Sequence, residues 1–141
     1  MASQDLLSRQ RQAVYALLFQ GIALSMLGAV SAIKILGIVD YGPEIAYTPS
    51  MALFAFGIFC IPALVPFALG FRLYHGRLTK WAYEGWAGVS FSFGVFFMLL
   101  LLTTMPVWSP FMVDAMGLLT LTVTLSFLLA TWAILRLTSF Y

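Results

Sequence analysis

Charge is what this chain has least of. Seven Lys and Arg and five Asp and Glu amount to 9% of its 141 residues, where a soluble domain carries roughly 25% to cover its surface. So few charges cannot wet a surface of this size, and lipid must be the solvent for much of it. Cysteine is nearly absent as well. Cys60 stands alone inside an apolar run, which excludes an internal disulfide and any metal site built on paired cysteines, and it leaves the redox compartment unread. His75 is the single histidine, so one chain cannot hold a transmembrane haem between two imidazoles. The net charge of +2 comes with no basic block suited to nucleic acid and no acidic tail.

The patterns that announce common chemistry are missing too. No Gly-rich phosphate loop, HExxH, CxxC or Gly-x-Ser-x-Gly occurs. The titratable residues do not converge. Asp40, Glu44 and Asp114 belong near one membrane face, and His75, Glu84 and most of the basic residues near the other. About 20 residues of helix, the hydrocarbon thickness, separate the two sets. No catalytic residue and no metal site is expected, and the chain is read as not itself an enzyme. Asp114, near the start of the last apolar run, suits the positive end of a helix dipole better than a proton relay.

What the chain has in quantity is apolar. Hydrophobic residues make up 62%, with 13 Phe, 6 Tyr and 4 Trp. Four runs are long enough to cross a bilayer, at about 13–39, 49–74, 84–105 and 110–138. The expected fold is an all-α integral membrane protein, one polytopic domain over residues 1–141, with four transmembrane helices in two up-down hairpins. Residues Ser3 to Gln12 read as a short capped surface helix or a frayed terminus, and the first apolar run as a retained anchor without a cleavage site. Thr48-Pro49 and Ser109-Pro110 read as helix starts, and Thr103 to Trp108 as the close of the third span and a very short loop.

Orientation follows from the basic residues. Arg9 and Arg11 precede the first span, Arg72, Arg77 and Lys80 sit in the central turn, and Arg136 lies near the end, against Lys34 alone on the other side. Both termini are therefore expected to be cytoplasmic, in a bacterial inner membrane or an organellar equivalent. Lys34 lies within two turns of its membrane face and can snorkel to the headgroups.

Five features invite a functional reading. The central turn gathers Arg72, Arg77 and Lys80, which suit topology and anionic lipid headgroups, with Trp81, Tyr83 and Trp86 as interfacial anchors. His75 is the candidate ligand for a pigment or a haem shared with another subunit. Small residues Gly21, Ser25 and Ala29, with Gly28 and Ala32 on the next line, form rows that let helices approach closely. Pro62 and Pro66 each remove a backbone donor, which predicts a kink or local unwinding near Cys60 to Pro66. Thr120, Thr124 and Thr131 share a helix face. With the prolines they would outline a polar pathway, although hydroxyls in helices more often bond their own backbone.

The function expected from these features is that of a small non-catalytic multi-pass subunit of a larger membrane complex, such as a respiratory, photosynthetic or transport assembly. Its partners would be other integral membrane subunits and phospholipid, with no nucleic acid. No cofactor of its own is expected; a bound lipid, quinone or pigment would come through partner subunits. The alternative is a small oligomeric transporter or channel for a neutral or lipidic solute, since no ionisable residue lies at mid-membrane to serve a charged one.

Overall fold

The computed structural model describes residues 2–37, 49–77, 79–108 and 115–139, and all regular structure among them is helical. The helices are α1 (Ala2–Gly37), α2 (Pro49–Tyr74), α3 (Lys80–Trp108) and α4 (Ala115–Thr138). Each is long and apolar enough to cross a membrane, so the chain is a multi-pass membrane protein. In hydrocarbon a backbone must satisfy its own polar groups, and a continuous helix does so within one segment.

That pressure accounts for three departures from the sequence reading. First, the polar residues before the first span form neither a separate surface helix nor a frayed end. α1 begins at Ala2 and runs unbroken for 36 residues, about 54 Å at 1.5 Å per residue, well beyond the roughly 30 Å of hydrocarbon. An Asp5–Arg9 pair at 3.3 Å, one turn apart, supports the projecting end. Second, α2 runs through Pro62 and Pro66 as one helix. Of the kink or local unwinding that the prolines predict, the unwinding is absent, because each proline removes only one intrahelical hydrogen bond. Third, α3 starts at Lys80 and continues to Trp108, absorbing residues 103–108 that read as a loop. The Thr103 hydroxyl donates to the carbonyls of Leu99 (2.9 Å) and Leu100 (3.0 Å), folding its polarity back onto the helix. Asp40, Glu44, Thr48, Ser109, Pro110 and Asp114 lie outside the described residues, as does the side chain of Lys34.

The turn between α2 and α3 is tightly specified. Gly76 has φ = 75°, a left-handed conformation that favours glycine. Arg77 N–H donates to Arg72 O at 2.9 Å and Gly76 N–H to Leu73 O at 3.0 Å, the paired bonds of a Schellman motif. Thr79 then accepts from the amides of Ala82 and Tyr83, starting α3. The Tyr83 hydroxyl closes the turn, donating to Leu69 O at 2.7 Å.

α2 packs along α1, α1 along α4, and α4 along α3; α2 and α3 share no extended face among the described residues. The near ends of α1, α2 and α4 are bonded together: Gln10 donates to Leu73 O at 2.8 Å, and Arg9 to Arg136 O at 2.9 Å. The chain therefore starts and finishes at the end that carries the α2–α3 turn. The apolar core falls into two clusters. One gathers Leu17, Leu69, Tyr83 and Ile134 near that end. The other gathers Leu24, Leu27, Ala63 and Phe127 further along.

Candidate functional site

Between the two apolar clusters lies a layer of polar side chains. Gln20 on α1 is fully buried, as is Ser90 on α3. The Gln20 Nε2 group donates to Ser90 Oγ at 3.0 Å, and Gln20 Oε1 accepts from the indole Nε1–H of Trp86 at 2.9 Å. Thr131 on α4 adds a further link, donating to Phe127 O (2.9 Å) in its own helix and Ala87 O (3.3 Å) in α3. A buried amide without partners costs several kcal/mol in hydrocarbon; here both ends of the Gln20 amide are bonded, and they tie α1 to α3, two helices with no extended packing between them. Interhelical hydrogen bonds of this kind contribute about 0.6–2 kcal/mol in membranes.

This layer is the feature the sequence reading missed. The available signal was a lone amide in the apolar run between Gln12 and Lys34. Trp86 changes role with it. Its indole turns inward to Gln20, whereas Trp81, five residues earlier, is 78% exposed.

The other singled-out residues disperse over the fold. Arg72 and Arg77 are exposed, and Lys80 lies 3.8 Å from Glu84 on the surface of α3. His75 is exposed, with Nδ1 3.0 Å from Phe71 O and its ring against those of Phe71 and Tyr74. Among the described residues no three His, Cys, Asp or Glu side chains gather into a metal-binding group.

Gly21 and Gly28 do meet a neighbouring helix. A Cβ on Gly21 would stand 2.9 Å from the Phe67 ring, and one on Gly28 would stand 2.8 Å from Cys60 Sγ and 3.2 Å from Phe56 O. Between them Ser25 O receives the Cys60 thiol at 3.7 Å. Ala29 and Ala32 are partly buried at the far end of the same helix.

Pro62 is exposed and Pro66 buried on α2, a helix that shares no extended face with α4. The α4 hydroxyls bond their own backbone: Thr124 to Thr120 O at 2.8 Å, Thr122 to Leu118 O at 2.8 Å and Ser126 to Val123 O at 2.6 Å. The prolines and threonines thus do not come together along one route.

No known protein family, curated protein or solved structure matches the chain. Its chemistry has to be read from its own residues: a hydrogen-bonded polar layer that joins helices, and largely exposed faces on α2 and α3.

Proposed function

We propose that this protein is a non-catalytic multi-pass subunit that packs against another membrane polypeptide in a larger assembly. The observation that carries this reading is how its helix glycines divide. Gly21 and Gly28 are closed against α2, and Gly94 against Leu128 of α4 at 3.0 Å from its would-be Cβ. Gly85 and Gly88 meet nothing within 4 Å. They lie with Trp81 and Ser92 on one stripe of α3, exposed and opposite the inward face marked by Tyr83, Ala87, Ser90 and Gly94. The Ser92 hydroxyl donates back to Gly88 O at 3.0 Å, leaving the stripe smooth. Lipid gains nothing from a smooth strip of helix, whereas a second helix gains close backbone approach.

The distribution of burial supports the same reading. In the spanning windows of α1 and α4, 39% and 44% of residues are buried, against 17% in both α2 and α3. The outer helices offer most of their surface to neighbours. Arg9, Arg11, Arg72, Arg77, Lys80 and Arg136 all sit toward the end where the chain starts and finishes, which by the positive-inside rule would face the cytoplasm. The alternative of a small transporter has less support. α2 is continuous through its prolines, and the α4 hydroxyls are engaged with their own helix.

Purification in mild detergent tests the proposal. A partner polypeptide should co-purify in fixed ratio, and Gly85→Leu with Gly88→Leu should release it while the chain stays folded. A homo-oligomer that moves solute into liposomes, or a partner retained by the double variant, would overturn it.

A further inference from the structure

Two depressions at the α1 start and α4 finish join into one furrow. The outer one, about 380 Å³, lies over the projecting part of α1 and includes Ser8, Arg11, Gln12 and Tyr15. The inner one, about 360 Å³, shares Gln12 and Tyr15 and continues between α1 and α4 past Ala16, Phe19, Leu129 and Trp132. The furrow is polar and cationic at one end and apolar at the other. The apolar part follows α1 from Gln12 to Phe19, about 10 Å along the bundle, and α4 from Leu129 to Ala133.

The cationic end has two guanidinium groups. Arg11 is exposed and makes no hydrogen bond or ion pair among the described residues. Arg136 lines neither depression itself, but it donates to Gln12 Oε1 at 3.3 Å and lies 5.0 Å from the centre of the Trp132 ring, and both of those residues line the inner one. The nearest acidic side chain in sequence, Asp5, is engaged by Arg9 at 3.3 Å, and no carboxylate pairs with Arg11 or Arg136 among the described residues.

We propose that this furrow holds one anionic diacyl phospholipid, its phosphate between Arg11 and Arg136 and an acyl chain along Phe19, Leu129 and Trp132. Guanidinium groups match phosphate oxygens in a two-pronged geometry. Tyr15 and Trp132 have the amphipathic form that suits the headgroup level. A zwitterionic lipid would bring its own cation to a place that already has two. The site is separate from the central-turn cations Arg72, Arg77 and Lys80 and does not depend on a protein partner.

The test is native mass spectrometry of the full chain released from bilayers of equal phosphatidylglycerol and phosphatidylcholine. One phosphatidylglycerol per chain should be retained in preference to phosphatidylcholine. Arg11→Gln with Arg136→Gln should lower that retention about tenfold, while the Arg→Lys pair keeps most of it. Arg72→Gln with Arg77→Gln, which removes the same charge at the central turn, should lower it less than the Arg11/Arg136 pair does. Ala16→Phe fills the apolar part without touching charge and should also expel the lipid, so it decides the matter if the double glutamine variant does not fold. Equal retention of both lipids, equal loss in the Arg72/Arg77 variant, displacement by millimolar inorganic phosphate, or full retention in Ala16→Phe would each overturn the proposal.

Discussion

The α1–α2 seam and the outer face of α3 are built from the same material and end differently. Both present small residues at helical spacing. At the seam, Gly21 and Gly28 lie so close to Phe67, Cys60 and Phe56 that an added methyl group would force a neighbour to shift. On α3, Gly85 and Gly88 face open space. A row of small residues therefore identifies a surface able to take a helix, and only the fold tells whether the chain has supplied that helix itself. Under the proposed function, the seam governs stability and the α3 face governs association.

The comparison is most easily broken at Gly28. Gly28→Leu should prevent α1 and α2 from closing, since the first added carbon already stands 2.8 Å from Cys60 Sγ and 3.2 Å from Phe56 O. Even Gly28→Ala should cost about 1–3 kcal/mol, the usual range for overpacking. Helicity followed through titration into denaturing detergent reads the loss. By contrast, Gly85→Leu with Gly88→Leu should shift the same curve by no more than about 0.5 kcal/mol, as for other exposed substitutions, and act only on association.

A middle-sized effect is expected at the polar layer. Gln20→Leu strands the Trp86 N–H and should cost about 1–2 kcal/mol. Trp86→Phe in the Gln20→Leu background should then cost less than Trp86→Phe alone, and a double-mutant cycle measures that coupling. Additive effects would mean that the hydrogen bond at 2.9 Å does not join the two helices energetically. Pro62→Ala should act with the opposite sign. It restores a backbone donor inside unbroken α2 and should stabilise the chain by up to about 3 kcal/mol. A loss of stability would contradict this.

Much of this architecture was legible because hydrocarbon imposes length and apolarity on any spanning helix, and those are sums over many residues. The four spans follow from such sums. Their ends do not, because a helix leaving the bilayer is governed by local bonds such as Asp5–Arg9 and Thr103 to Leu99. The polar layer was illegible for a related reason. One Gln20 hardly alters the hydropathy of an apolar run, and its meaning depends on Ser90 and Trp86 arriving from seventy and sixty-six residues away. An aromatic near the start of a span suits an interface or a core equally. Trp81 and Trp86 differ only in which side of α3 they occupy, and packing against α1 and α4 sets that side. The small residues of α1 were legible as a contact surface, but the partner helix was not.

Under the proposed function, the Gly85–Gly88–Ser92 face of α3 is covered by another polypeptide in the membrane. A photo-crosslinking side chain placed at Gly88 and, in a separate protein, at Leu125 on the exposed face of α4 tests it most directly. One discrete polypeptide adduct is expected from position 88, and lipid adducts alone from position 125. Lipid adducts alone from position 88, or the same protein adduct from both, would contradict it.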